Sequence, residues 1–380
     1  MSTQLSVSEY NQLKHGFDRV ASRSWSIHTR CYQDRKFLSV DREQIFHRSW
    51  QYLCHEQSLS NSGDYVALKI QGQSVFAVRG DDDELRAFYN VCKHRGHELV
   101  TGEGTKKSIT CPYHAWRYGL DGKLQGARRS ELIEGFDPGT ICLHAIRVEV
   151  FCHLVFVNLD PNCESLSTQA GNLSTEIQQF APDLGQLKLA KKMSYTIEAN
   201  WKAVVDNFLE CYHCPVAHRD FCSLVEMDTY KVKTHGIYSS HMAKAGRSEN
   251  SAYAISDASV TDHAVWYLWP NTTLMRYPGR GNFMVWRFVP IGPEQTYEEF
   301  DIFYTTSEPT LEEEQSLAFI DSVLQPEDIA LVESVQRGLR TPAFDQGRYL
   351  VDPGGSGLSE HAVHHFHSLL LDAYRGACES

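Results

Sequence analysis

Four potential metal ligands stand in two short runs of this chain, Cys92-Lys93-His94-Arg95-Gly96-His97 and, after a loop, Cys111-Pro112-Tyr113-His114-Ala115-Trp116. Two thiolates and two imidazoles can close a tetrahedral zinc site. They can also hold a [2Fe–2S] cluster, with two Cys on one iron and two His on the other. The order Cys, His, Cys, His favours the cluster, because zinc motifs more often begin with Cys-x-x-Cys. The predicted ligands are Cys92, His94, Cys111 and His114.

The residues around these runs alternate between short β-rich segments, such as Tyr65–Ile70, and turns. This pattern predicts a small antiparallel β domain that contains both runs, and we place it at residues 46–160. Residues 1–45 are predicted to form a helical segment that packs with a larger domain, residues 161–380, in which helices and strands alternate. Apolar residues at helical spacing predict a helix over Val40–Trp50.

The composition is that of an ordinary soluble protein, with 42% hydrophobic and 22% charged residues. A formal net charge of −12 and the lack of a basic run argue against a nucleic-acid partner. No apolar run approaches the length of a membrane span, and the N-terminus is not a secretory signal. The 11 Cys are spread along the chain, which predicts reduced thiols in a cytoplasmic protein.

A second group of potential metal ligands follows in Asn207–His218. A cluster that moves one electron at a time needs an electron acceptor. His213 and His218 are candidate ligands for a metal that would serve as that acceptor. Their spacing of five requires a local unwinding of the helix, which Pro215 makes possible. Two His and one carboxylate form the facial triad of non-haem Fe(II) oxygenases.

The carboxylate must come from elsewhere in the chain. We predict Asp328, at the start of a late helix over about residues 326–340, with Glu327 as the rival. Cys211 and Cys214 are interpreted as packing residues. Four histidines near the end of the chain are also interpreted as structural residues: His361, His364, His365 and His367.

Together these motifs resemble the oxygenase component of the Rieske non-haem iron oxygenases. The resemblance covers nearly the whole chain and includes Glu210-x-x-His213-x-x-x-x-His218. Four stretches look closest to the quaternary-ammonium branch of that family: Phe88–Cys92, Ile109–Trp116, Leu331–Gln336 and Gly355–His361. That branch includes carnitine and γ-butyrobetaine monooxygenases, proline-betaine and glycine-betaine demethylases, and choline monooxygenase.

The resemblance implies an α+β fold, with a Rieske domain inserted near the N-terminus of a helix-grip-like catalytic domain whose central antiparallel sheet is flanked by helices. It implies that Glu210 bridges, across a subunit boundary, from a cluster His to an iron His. It also implies a homotrimer and a separate flavin and ferredoxin-type reductase that supplies electrons from NAD(P)H through FMN. O2 would be the co-substrate.

A quaternary ammonium group is recognised by aromatic faces, since it has no hydrogen to donate. The candidate substrate-binding residues are Phe208, Tyr212, Trp266, Trp269, Tyr277 and Trp286. The carboxylate of a betaine would be bound by a fork donor such as Arg276, Arg280 or Arg287.

Three other functions stay open at this point. A ring-hydroxylating oxygenase acting on an aromatic acid would use the same iron chemistry. A soluble Rieske electron carrier would need only the cluster, and would leave His213 and His218 without a role. A zinc-binding structural protein would use the four ligands of the first group.

Overall fold

The chain folds into two compact units in a computed structural model that describes residues 4–246, 250–255 and 259–378. Residues 46–168 form one unit, and residues 1–45 with 169–380 form the other. The predicted boundaries lie after residues 45 and 160. No helix in the described part of the chain is long and apolar enough to cross a membrane.

The unit of residues 46–168 is built from antiparallel strands. One sheet has seven strands in the order β1-β10-β9-β4-β3-β2-β5, and a small sheet has the order β6-β7-β8. The strands are β1 (Gln51–His55), β2 (Asp64–Ile70), β3 (Gln73–Arg79), β4 (Leu85–Tyr89), β5 (Glu103–Thr105), β6 (Ile109–Thr110), β7 (Arg117–Tyr118), β8 (Leu124–Gly126), β9 (Ala145–Phe151) and β10 (Leu154–Asn158). Phe76, Ile109 and Tyr118 are fully buried in its core, and each such side chain stabilises the fold by about 1.5–3 kcal/mol.

The other unit contains a second seven-stranded antiparallel sheet, in the order β11-β17-β16-β15-β14-β13-β12. Its strands are β11 (Lys188–Ile197), β12 (Lys231–His235), β13 (Tyr238–Lys244), β14 (Asp262–Leu268), β15 (Thr272–Arg276), β16 (Asn282–Gly292) and β17 (Gln295–Tyr304).

The described helices lie mostly in the unit of this second sheet. They are α1 (Val7–Leu13), α2 (Arg30–Gln33), α3 (Arg35–Val40), α4 (Leu166–Gln169, at the junction), α5 (Leu173–Phe180), α6 (Trp201–Phe208), α7 (Cys214–Ala217), α8 (Arg219–Leu224), α9 (Leu311–Phe319), α10 (Gln325–Leu339) and α11 (His361–Gly376). The predicted α+β class, with an antiparallel β domain followed by a larger sheet with helices, is confirmed.

One predicted helix has different bounds. The expectation was a helix over Val40–Trp50, but α3 ends at Val40 and a π-helical turn, Asp41–Phe46, follows it. The helix ends early because Trp50 belongs to the β unit. Its side chain is buried there and its indole N–H donates to the Glu164 carbonyl, at 3.1 Å.

A buried ion pair connects the N-terminal segment to α6. The ammonium of Lys202 contacts the Asp41 carboxylate, and both side chains are almost fully buried. The same carboxylate accepts from the indole N–H of Trp201 at 2.9 Å and from the hydroxyl of Tyr374, on α11, at 2.7 Å. Asp41 therefore ties together three parts of this unit, including the helix that leads into the second group of metal ligands.

We expect Asp41→Ala to lower the free energy of unfolding by about 3–5 kcal/mol, because it leaves the Lys202 charge buried without a partner. Urea denaturation followed by tryptophan fluorescence measures this. Asp372→Ala removes an exposed ion pair with Arg375 on α11 and is the control, with an expected change within about 1 kcal/mol. Equal effects of the two substitutions would contradict the stabilising role of Asp41 beside Lys202.

Candidate metal centres

The two runs with Cys and His ligands fold into loops built in the same way. The Cys92 N–H donates to the carbonyl of His97, five residues on, and the Gly96 N–H donates back to Cys92. The Cys111 N–H donates to Trp116, again five residues on, and Ala115 donates back to Cys111. Gly96 and Ala115 both have positive φ, 74° and 58°. Each loop thus presents one Cys and one His from an equivalent turn.

The four side chains differ in burial by type. Cys92 and Cys111 are each 2% exposed, whereas His94 is exposed and His114 is half-buried. The two imidazole rings lie together, with centroids 4.6 Å apart. The Tyr118 hydroxyl lies 3.3 Å from the Cys92 sulfur. Buried thiols and outward-facing imidazoles suit a cluster with one sulfur-ligated iron inside and one His-ligated iron near the surface.

These four ligands do not converge on one point, as a single zinc ion would require. In the described part of the chain, one group of three or more His, Cys, Asp or Glu has ligand atoms that all lie within 4.8 Å of one another. That group is His213, His218 and Asp328. A binuclear cluster spreads its ligands over two metals, so the geometry of the first group favours the cluster over zinc.

The second group is brought together by three helices. α6 ends at Phe208, and the single turn α7 separates His213 from His218. Asp328 lies in the first turn of α10. Its Oδ1 atom is 2.9 Å from His218 Nε2 and 3.6 Å from His213 Nε2, so one carboxylate oxygen faces both imidazoles.

The other nitrogen of each imidazole is held by a second acid. Glu210 Oε1 lies 2.5 Å from His213 Nδ1, and Glu327 Oε2 lies 2.7 Å from His218 Nδ1. Carboxylates at this position keep a His ligand oriented and basic. The structure thus separates the two rivals of the sequence analysis, because Asp328 faces the shared point and Glu327 lies behind His218.

The group of His213, His218 and Asp328 favours the binding of positive charge. Burial works to lower the pKa of His213, but the carboxylates of Asp328 and Glu210 raise it to about 9. Burial likewise works to raise the pKa of Asp328, and its hydrogen bonds with His213 and His218 lower it. A divalent cation satisfies the same demand for positive charge. Two imidazole nitrogens and one carboxylate oxygen at a common point fit Fe(II) with open positions left for O2 and substrate.

Cys211 and Cys214 form a disulfide in the structure, with Cα atoms 4.9 Å apart. This corrects the interpretation of the pair as packing thiols. Cys211 precedes α7 and Cys214 begins it, so the turn brings the two sulfurs together. The other nine cysteines of the chain form no disulfide.

A cavity lies beside the His213, His218 and Asp328 group and is lined by one face of the second sheet. Side chains two residues apart on a strand, or directly paired across strands, share a face. Trp286 and Phe288 on β16 therefore face the same way as Glu298 on β17, which pairs with Phe288. All three line the cavity, together with Phe208, Phe221, Tyr230, His241 and His263.

Two of the six predicted substrate-binding residues line this cavity, Phe208 and Trp286. The structure does not bring the other four there: Tyr212, Trp266, Trp269 and Tyr277. Tyr212 is 48% exposed. Trp266 points to the opposite face of β14, where its indole N–H donates to Glu176 at 3.0 Å. Trp269 and Tyr277 lie just beyond the ends of β14 and β15.

The three arginines expected to bind a carboxylate also lie outside the cavity. Each makes an ion pair instead: Arg276 with Asp183, Arg280 with Glu312 and Arg287 with Glu299. Arg276 contacts both carboxylate oxygens of Asp183, the bidentate geometry expected of a fork donor. The sequence could not show these partners, because they lie 12 to 93 residues away.

The histidines near the C-terminus have structural contacts, as predicted. Ring nitrogens of three of them lie within hydrogen-bond distance of backbone carbonyls: His361 with Val232, His364 with Asp18 and His365 with Gly236. His367 is buried and lies 2.9 Å from Asp206 and 3.0 Å from the Tyr32 hydroxyl.

The sequence analysis missed Glu298, Phe288, His241 and His263. A signal for Glu298 was present, since it stands in alternation with Phe300 and Ile302, both buried on β17. An acid on an apolar strand face is unusual and marks a site. Phe288 lies two residues after Trp286, so the alternation of a strand predicts that both side chains share a face.

The chain matches two family models. Residues 49–137 match the Rieske [2Fe-2S] domain, and residues 184–376 match the catalytic domain of the ring hydroxylating alpha subunit. The chain belongs to the Rieske oxygenase family. This oxygenase therefore has the domain for a Rieske [2Fe–2S] cluster and the catalytic domain of a non-haem iron enzyme, and the predicted resemblance is confirmed.

Two curated relatives match the oxygenase over most of its length. It is 40% identical over 365 residues to the carnitine monooxygenase oxygenase subunit of Escherichia coli (strain K12), covering 96% of this chain and 97% of the relative. It is 31% identical over 349 residues to the chloroplastic choline monooxygenase of Beta vulgaris, covering 89% of this chain and 75% of the relative.

A solved structure is also similar over nearly the whole oxygenase. It is that of a quaternary ammonium Rieske monooxygenase, described in terms of carnitine oxidation by gut microbiota and inter-subunit electron transfer. The TM-score is 0.89 at 34% identity, covering 96% of this chain and 99% of the other.

We expect Glu327→Gln to weaken iron binding at the His213, His218 and Asp328 group by about 10–100-fold, since the amide no longer keeps His218 basic. Iron analysis after graded chelation measures this, with the cluster absorbance as an internal reference. Glu333→Gln is the control, because that side chain lies on the same helix but accepts from the Glu198 N–H. Unchanged iron retention in Glu327→Gln would contradict the role of this acid.

Proposed function

We propose that this chain is the oxygenase component of a multi-component monooxygenase that oxidises a small quaternary ammonium compound, such as carnitine or a betaine. One observation carries the proposal: an aromatic-lined cavity with no lysine or arginine among its described lining residues lies beside His213, His218 and Asp328. The similarity to carnitine and choline monooxygenases supports it.

The cavity is suited to a cation that cannot donate hydrogen bonds. The Phe208 ring lies 5.1 Å from Trp286 and 5.7 Å from Phe288, measured between centroids. Aromatic faces within about 6 Å of a cation attract it through the ring quadrupole. The buried His241 and His263 do not compete with it, because burial lowers their pKa to about 3 and about 4 and keeps them neutral.

The two alternative functions within the Rieske class fit less well. An aromatic acid has no cationic group for the aromatic side chains and the acids of this cavity to bind. A one-electron carrier would have no use for three converging ligands whose orientation is maintained by two further acids. The geometry therefore supports an oxygenase that accepts a cationic group.

The chain's own groups have distinct roles in this proposal. His213, His218 and Asp328 would hold Fe(II), which when bound supplies the activation of O2 and the insertion of oxygen into a C–H bond. Glu210 and Glu327 keep Nε2 of each imidazole turned towards the metal. The aromatic side chains exclude water and place the substrate beside the iron site. Cys92, His94, Cys111 and His114 would hold the cluster that delivers electrons.

Electron supply requires partners. We propose a homotrimer in which Glu210 bridges from His213 to a cluster histidine of the neighbouring subunit, and a separate flavin and ferredoxin-type reductase that takes electrons from NAD(P)H through FMN. The bridge is supported by the position of Glu210, which borders both the aromatic cavity and a second cavity next to Tyr32 and Asp206. A supply of NAD(P)H, and nine cysteines outside the Cys211–Cys214 disulfide, are consistent with a cytoplasmic location.

We expect L-carnitine, γ-butyrobetaine, glycine betaine or choline to stimulate NADH oxidation by the oxygenase with a matching reductase, whereas benzoate does not. Product analysis then locates the attack. Oxidation of an N-methyl releases formaldehyde and the demethylated amine, whereas oxidation of a chain carbon next to nitrogen breaks the C–N bond. Stimulation by benzoate alone, or by none of these compounds, would refute the proposed substrate class.

Glu210→Gln should reduce turnover by at least about 10-fold in preparations that retain iron and cluster, because the neutral amide orients His213 poorly and weakens the bridge. The measurement is single-turnover reoxidation of the reduced cluster by O2 with substrate bound. Glu226→Gln, at an exposed position, serves as the control. Wild-type reoxidation in Glu210→Gln would show that this acid does not take part.

A further inference from the structure

Glu298 is a buried acid on the apolar side of the catalytic sheet. It lies within β17, is 2% exposed, and pairs across the strands with Phe288. Its neighbours on the same face are Phe300 and Ile302, both at most 1% exposed. Burying a carboxylate in such surroundings costs several kcal/mol unless a cation or hydrogen-bond donors compensate it.

The described residues supply little of that compensation. Oε2 of Glu298 has no hydrogen-bond partner among them, and the indole N–H of Trp286, which also lines the cavity, makes no hydrogen bond either. Burial raises the pKa of Glu298 to about 8, a smaller influence of the Trp286 indole acting in the opposite direction.

The next residue on the strand, unlike Glu298, has a cation as its partner. Glu299 faces away from the cavity and pairs with Arg287, directly across on β16. The other acids in the cavity lining, Glu210 and Asp328, each contact a histidine. Glu298 is thus the acid of the cavity for which the described residues provide neither a cation nor a histidine.

We propose that Glu298 is the counter-charge for the substrate's quaternary nitrogen and determines the preference for a quaternary ammonium group over a neutral tert-butyl group of the same shape. The inference rests on the proposed function and extends it to one residue. The faces of Phe208, Trp286 and Phe288 surround the methyl groups, and the carboxylate supplies the charge that aromatic rings lack. The cation in turn compensates the buried acid.

Binding to the iron-loaded, oxidised oxygenase without reductase tests this, so that no turnover occurs. The probes are two pairs with the nitrogen replaced by carbon: choline with 3,3-dimethylbutan-1-ol, and L-carnitine with 3-hydroxy-5,5-dimethylhexanoate. The method is isothermal titration calorimetry at pH 8.5, a pH at which the Glu298 carboxylate is mostly ionised. We expect the wild type to prefer the cation of at least one pair by at least about 10-fold, from one desolvated charge pair.

Glu298→Gln should reduce the affinity for that cation by at least about 10-fold and leave the affinity for its carbon analogue nearly unchanged, so that the preference disappears. Glu298→Asp, which keeps the charge, should retain part of the preference. Glu299→Gln is the matched control and should behave like the wild type, since its side chain points to the other face. Iron content and cluster absorbance confirm that each variant is folded.

Two outcomes would overturn the inference, and they differ in what else they refute. If the wild type prefers the cation and Glu298→Gln keeps that preference, Glu298 is not the counter-charge, while the proposed substrate class stands. If the wild type binds cation and carbon analogue equally well in both pairs, the counter-charge and the quaternary ammonium substrate class are both wrong.

Discussion

The catalytic unit depends on one constraint of imidazole chemistry. A histidine binds a metal through one ring nitrogen about 10–100-fold more tightly when the other nitrogen has a fixed partner. Here both partners are carboxylates, Glu210 for His213 and Glu327 for His218. Glu210 lies three residues before its histidine, while Glu327 lies next to Asp328 on α10. One turn of α10 therefore supplies both a candidate ligand and the support for another.

This constraint also accounts for the local irregularity of the chain. α6 ends at Phe208, and the separate turn Cys214–Ala217 follows before α8. A continuous helix would turn residues five apart to different sides, because neighbours on a helix face are three or four apart. The break lets His213 and His218 face the same carboxylate oxygen, and the Cys211–Cys214 disulfide joins the two ends of the loop that contains His213.

Much of this arrangement could be predicted from the sequence, because it is local. Ligand spacing, strand alternation and helix capping are properties of neighbouring residues, and these gave the two ligand groups, the strands and α10. The pocket was harder, because it depends on which face of a strand is covered. Trp266 and Trp286 look alike in sequence, yet only Trp286 lies on the cavity face. The ion pairs of the three arginines join residues far apart, and no local pattern indicated them.

The catalytic unit is formed by two separate parts of the chain, and the Asp41–Lys202 pair makes the second part depend on the first. A fragment beginning at residue 169 would contain the whole second sheet and His213, His218 and Asp328, but its Lys202 ammonium would be enclosed without its counter-ion. Residues 46–168, in contrast, are contiguous. Dissection of this protein should therefore remove the β unit from the middle and join residue 45 to residue 169 through a linker, rather than cut the chain once.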